Sequence, residues 1–121
     1  MSKEANSKSV YDLEERTFQF AKRVRLHIKK LPKTTANIED GKQTIRASGL
    51  VGANYIEANE SFSKKDFFRI KISRKESKES AYFIRLIYET NSLEFEAEGK
   101  KLQDEAIQLK KIFSSILEKS K

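Results

Sequence analysis

The sequence predicts an all-α protein, an antiparallel up-down four-helix bundle. Three observations carry that prediction. Proline occurs once and glycine four times in 121 residues, and so few breakers leave room for long helices and short connections. Four stretches repeat apolar residues at three- and four-residue spacing, the mark of a helix with a buried stripe. No alternating strand pattern persists beyond a few residues. The length suits one domain with one core. Residues 1–10 are polar and aperiodic and are expected as a flexible tail, with residues 11–121 forming the bundle.

The first helix is expected from about Asp12 to Lys30, with Leu13, Thr17, Phe20, Ala21, Val24 and Ile28 as its stripe. Asp12 is placed to cap its start. Glu14 and Glu15 complement the positive end of the helix dipole, and Lys29 and Lys30 the negative end. Leu31-Pro32 ends it, because the residue before proline is pushed out of the helical region. Phe18 and Leu26 fall off the stripe, as isolated surface residues or as contacts for a neighbouring subunit.

The second helix is expected from about Ala36 to Asn59. Ile38, Ile45, Gly49, Gly52 and Ile56 lie within about 60° of one another, a narrow seam. The two glycines cost about 1 kcal/mol each relative to alanine, which is tolerable where another helix approaches closely. Ala47, Val51, Tyr55 and Ala58 form a second apolar strip.

Ser63-Lys64-Lys65-Asp66 resembles a capping box and starts the third helix, which Asn91 is placed to cap at its end. Three arcs divide this helix. Ile70, Ser73, Ser77, Ser80, Ala81, Ile84 and Tyr88 are apolar or small. Phe68, Ile72, Phe83, Leu86 and Ile87 make a second apolar arc. Two such arcs on one helix point to burial in the bundle on one flank and against another subunit on the other. The third arc, about 100° wide, holds Lys64, Lys71, Arg74, Lys75, Lys78 and Arg85 with Phe67 and Tyr82. The fourth helix is expected from Phe95 or Ala97 to Glu118, with one conventional stripe through Leu102, Ala106, Leu109, Ile112, Phe113, Ile116 and Leu117. Gly99 is expected to weaken its first turns.

Lysine and arginine number 25 against 18 acidic residues, a formal charge of +7. That balance favours polyanions as long-range partners. Cysteine is absent, which removes disulfides, thiolate catalysis and cysteine-ligated zinc. His27 is the single histidine and reads as a packing residue rather than a metal ligand. Gly49 and Gly52 lie mid-helix, not in a phosphate-cradling loop. Ser73, Ser77 and Ser80 read as small residues that let helices approach. Asn54 and Glu57 read as hydrogen-bonding residues that fix register. Arg46 and Lys42 either extend the basic surface or pair with acids. No enzyme, cofactor or metal is expected. The sequence has no signal-peptide core and no run of about 18 apolar residues, so a cytoplasmic address and no membrane partner are expected.

Two readings fit the basic arc of the third helix. Cations contact phosphates and aromatic rings stack on unpaired bases, so it suits nucleic acid, RNA above all. Charge runs more often mean only a solvated helix face, and that reading is favoured on the sequence alone, although ring assembly would repeat the row and shift the balance towards a polyanion site.

The run Ile45 to Ala58, with Arg46, Ala53, Asn54 and Glu57, together with Ser63-Lys64-Lys65-Asp66-Phe67 and the Ser-Lys-Glu-Ser of Ser77 to Ser80, resembles the bacterial 23S rRNA intervening-sequence proteins. The likeness spans about Leu13 to Leu117. Gly52 stands where many members carry proline, and Gly49 where a branched residue is common. The resemblance implies a left-handed four-helix bundle assembled as a ring of five, a homopentamer. It also implies kinship with accessory proteins of diversity-generating retroelements, which associate with a reverse transcriptase and nucleic acid. The expected function is therefore a non-enzymatic, homo-oligomeric nucleic-acid-binding bundle. The alternative is a scaffold that docks a protein partner such as a reverse transcriptase.

Overall fold

The computed structural model describes residues 2–60 and 65–119, with side chains over 13–60 and 67–119. These residues are all-α. Four helices follow one another, α1 (Ser2–Lys29), α2 (Thr35–Glu60), α3 (Lys65–Glu89) and α4 (Glu96–Lys119), with a short 3-10 turn (Leu93–Phe95) before the last. α3 packs along both α2 and α4, while α1 lies chiefly against α2 and less against α4.

α1 begins at Ser2 instead of near Asp12. Residues 2–12 contain neither glycine nor proline, so a helix nucleated further along can propagate back through them at one hydrogen bond per residue. The helix thus continues through the stretch expected as a tail, and Asp12 lies inside it rather than at its cap. At the other end the Lys30 and Leu31 amides donate to the His27 and Ile28 carbonyls at 3.1 Å. These tighter turns close α1 just before Pro32.

Thr34 caps α2: its hydroxyl accepts the Asn37 amide at 3.1 Å. Asn91 caps α3 as expected, though through its side chain. Its Nδ2 donates to the Ile87 carbonyl at 2.8 Å, and no non-glycine residue described has a positive φ. The same two asparagines exchange amide hydrogen bonds at 2.8 and 2.9 Å, and Asn37 also donates to the Pro32 carbonyl. The expected capping box at Ser63 to Asp66 lies outside the described side chains.

The core joins Phe20 and Val24 of α1, Val51 and Tyr55 of α2, Ile70 and Ile84 of α3, and Leu102, Leu109 and Phe113 of α4. Burying each large side chain stabilises the fold by about 1.5–3 kcal/mol. The α4 stripe is buried as its periodicity predicts. On α2 the two apolar strips are buried to different extents. Of the seam through Ile38, Ile45, Gly49, Gly52 and Ile56, only Gly52 is buried, while Ile38 and Ile56 are 45% and 38% exposed. The other strip, Ala47, Val51, Tyr55 and Ala58, faces the core. The reason is that α2 serves two neighbours. Its Val51 side meets α3, and its seam side lies along α1, where Ile28 stands beside Gly41, Arg25 beside Ile45 and Gly49, and Thr17 beside Gly52.

Small hydroxyl residues bring α2 and α3 together. Ser73, Ser77 and Ser80 are fully buried on α3. Ser73 Oγ donates across the contact to the Val51 carbonyl at 2.9 Å, and Ser77 Oγ donates to the Ser73 carbonyl at 2.9 Å. Satisfied hydroxyls offset most of the cost of burying them. Glu76 is buried beside them, and its Oε2 lies 3.8 Å from an Arg46 guanidinium nitrogen. Burial is the largest influence pushing its carboxyl above the ordinary range. Neighbouring Glu79 adds to the rise through its charge and a hydrogen bond, while Arg46 and Lys75 oppose it.

A second close approach joins α3 to α4. A Cβ on Gly99 would stand 2.6 Å from Tyr88 Cβ, so this glycine is required for the contact rather than a weak point in the helix. A Cβ on Gly49 would meet only the guanidinium end of Arg25, at 3.0 Å.

A carboxyl raised in the folded state stabilises as the neutral acid. That contribution is complete below its ordinary value of 4.5 and is lost as pH climbs through the raised folded value. Glu76→Gln is therefore expected to melt higher than the natural chain at neutral pH and to flatten the pH profile above the ordinary carboxyl range, measured by circular dichroism. A lower melting point would show that the Arg46 pairing outweighs burial. Gly99→Ala is expected to cost about 1–3 kcal/mol in urea unfolding through overpacking against Tyr88. Gly49→Ala is expected to be neutral, or to gain up to about 1 kcal/mol in helix propensity, because a flexible side-chain end can move aside.

Candidate nucleic-acid interface

The surface of α3 turned away from the core places four of the expected cations together. Lys71, Arg74, Lys75 and Lys78 line a shallow depression of about 350 Å³, with Glu79 at its edge. A helix rises 1.5 Å per residue, so residues three and four apart stack as neighbours along one face. Lys75 pairs with Glu79 at 3.7 Å one turn on, with both groups substantially exposed. Such a pair is worth about 0–1 kcal/mol and leaves the lysine able to exchange partners. Arg85, about two turns beyond Lys78, is held by Glu89 at 2.7 Å, which neutralises that end of the row. Lys64 lies outside the described residues.

The two aromatic residues assigned to this arc part company. Tyr82 is 62% exposed, and its ring meets Phe83 edge-on with centroids 5.3 Å apart. It is available for stacking. Phe67 is half-buried against the core and lines an apolar recess with Tyr55, Ile70, Ile116 and Leu117. The arc has a rim that touches α4, and Phe67 lies on that rim.

The residues expected at contacts between elements are placed as follows. Arg46 reaches Glu76 within the same chain, and Lys42 pairs with Glu39 on its own helix at 3.6 Å. Asn54 is half-buried and donates to the Leu50 carbonyl at 3.0 Å. Glu57 is exposed. Gly52 lets Thr17 approach, since a Cβ there would meet the threonine hydroxyl at 2.8 Å. Ser73 and Ser77 are hydrogen-bonded, and the buried Ser80 hydroxyl has no hydrogen-bond partner among the described residues. Phe18 and Leu26 are exposed.

Two residues matter that periodicity alone passes over. Glu76 is buried because it falls within about 60° of the Ser73 and Ser80 directions, on the flank that α2 covers. Its place among closely spaced serines was the available signal. Asn37 lies in the first turn of α2 and carried no sequence signal for its partner, since Asn91 is 54 residues away.

A separate cavity of about 390 Å³ lies where α1 ends beside the turn before α4, lined by Arg23, Leu26, His27, Lys30 and Phe95 among others. His27 is buried and meets Phe95 edge-on. Burial is the main influence lowering its pKa below 6.5; Lys30 adds to the effect and Glu98 opposes it. This agrees with its reading as a packing residue.

No described helix is long and apolar enough to cross a membrane. A crystal structure of a protein of unknown function, from the S23 ribosomal protein family of Bacteroides thetaiotaomicron, is similar to this chain. The TM-score is 0.70 at 22% identity, covering 86% of this chain and 96% of the other. At that identity the likeness carries the fold. No curated protein matches the chain. The family model described as 23S rRNA-intervening sequence protein matches residues 11–115. That match spans nearly the whole bundle, and the chain belongs to the 23S rRNA-intervening sequence protein family.

Proposed function

We propose that this protein is a non-catalytic, self-assembling nucleic-acid-binding bundle whose contact surface is α3 and whose ligand is structured or partly single-stranded RNA. One observation carries the reading: Lys71, Arg74, Lys75 and Lys78 surround a single depression, and exposed Tyr82 stands one turn beyond Lys78. Cations neutralise phosphates while an adjacent ring accepts an unpaired base. The family's name, which concerns sequences within 23S rRNA, fits an RNA ligand and a cytoplasmic setting.

The same reading takes the bundle as antiparallel and up-down. Arg16 pairs with Glu105 and Arg23 with Glu98, so rising numbers on α1 meet falling numbers on α4. Self-assembly into a ring of five, implied by the resemblance, is supported by Ile38, Ile56 and Phe68. These large apolar side chains stand exposed on α2 and α3. A ring repeats the α3 row and sums its field. Docking of a protein partner is the second reading, favoured by Leu26 and Leu93, which are 49% and 81% exposed.

Titration of labelled RNA at several salt concentrations tests the proposal. Affinity is expected to fall steeply with salt, with a log–log slope of about −0.7 per neutralised phosphate on a single strand. Lys71→Glu with Lys78→Glu is expected to weaken binding at least tenfold and to flatten the slope by about 1.4 or more, with an unchanged circular dichroism spectrum. Binding that ignores salt, or that never exceeds that of an unrelated basic protein, overturns the reading. Recovery of one stoichiometric protein after nuclease treatment would favour docking instead.

A further inference from the structure

The outer face of α1 carries a second row of cations that the α3 reading leaves unused. Phe18, Lys22, Arg25 and Lys29 follow one another at four, three and four residues, which places them within about 60° on the side away from the core. Phe18 is 60% exposed, and Lys22, Arg25 and Lys29 are exposed. Phe18, Ala21, Lys22 and Arg25 line a depression of about 340 Å³.

The row is unneutralised. Among the described residues no carboxylate pairs with Lys22, Arg25 or Lys29. Glu15, the nearest acid at the row's start, accepts a hydrogen bond from Gln19 at 2.7 Å. On the neighbouring helix Glu39 is taken by Lys42. Arg25 is also held in place. Its Nη1 donates to the Ala21 carbonyl at 3.1 Å and its Nη2 to the Ile45 carbonyl at 3.3 Å on α2. Neutral carbonyls fix the guanidinium without cancelling its charge, and its remaining donors stay available. Lys29 complements the negative end of the helix, but Lys22 and Arg25 are too far from that end to gain from it. Like charges three and four apart destabilise a helix. An anionic partner reverses that cost.

We infer that the α1 row is a second nucleic-acid-binding surface, with Lys22, Arg25 and Lys29 on phosphates and Phe18 against an unpaired base. It rests on the RNA-binding reading for its ligand class and stands on a different helix. α1 and α3 both pack on α2 and α4, so the two rows lie on diagonally opposed corners and one strand segment cannot satisfy both at once.

The test uses the full chain and a short labelled oligouridylate. Lys22→Glu with Lys29→Glu leaves Arg25 and its carbonyl contacts intact. Lys22→Ala with Lys29→Ala provides a milder pair in case reversal disturbs folding. Both are compared with the α3 reversal, and solution mass is measured for each. The expected result is an α1 site weakened at least tenfold by the reversal and less by the alanine pair, with the salt slope of that site reduced by about 1.4 and the α3 site binding as before. At saturation the natural chain takes two oligonucleotides per protomer and the α1 variant one. Loss on α1 with no effect on α3 keeps this inference and removes the α3 reading. Unaltered affinity, stoichiometry and slope in both α1 variants overturn it. So does a change of solution mass with RNA binding intact, which would make the row a contact between copies.

Discussion

The close approach of α2 and α3 is the contact on which the rest of the molecule is built. It is made with serine rather than leucine. Ser73 reaches the Val51 carbonyl of the facing helix, and Ser77 and Ser80 take no room beyond their hydroxyls. Large side chains there would hold the helices apart and turn α3 about its axis. With α3 seated this deeply, its Ile70, Ile84 and Tyr88 enter the core and its opposite side is forced outward. The basic row is outside because the serines are inside.

That arrangement carries an electrostatic cost at Glu76. A carboxyl in the small-residue contact has only Arg46 at 3.8 Å as a cationic neighbour on α2, and Glu79 on its own helix disfavours its charge. Buried ionisable groups are weak contributors to net stability, yet a wrong register would leave the same group with no partner at all. Glu76 and Arg46 therefore favour one alignment of α2 and α3 more than they strengthen it. The glycine at position 99 acts on the other flank of α3 by pure shape, because only a missing side chain accepts Tyr88.

The four helices, the termination at Leu31-Pro32 and the α4 stripe were legible in the sequence because periodicity and proline report local geometry directly. Two of the three α3 arcs were legible too: the serine-rich arc is largely buried, and Lys71, Lys75, Lys78, Tyr82 and Arg85 of the cationic arc are exposed. On α2 two apolar strips compete, and the wheel cannot say which neighbour claims which. Ile38 and Ile56 lost that competition to Ala47 and Val51, whose smaller side chains suit the α3 contact. Of the candidate site, the wheel put the four central cations on one face, where they line one depression, but it could not show that Arg85 is tied to Glu89 or that Phe67 leans onto the core. The α1 row escaped notice because attention to the core stripe treats the opposite face as generic surface. Which of its charges lack partners is a three-dimensional fact.

The paired amides of Asn37 and Asn91 bear on the order in which the molecule is assembled. The bend between α1 and α2 depends on a residue that is synthesised 54 positions later. A nascent chain ending before Asn91 can form α1 and α2, but it lacks the group that satisfies the turn between them. The first hairpin thus remains provisional until the end of α3 arrives, and folding is expected to be a single cooperative event rather than a sequence of completed halves.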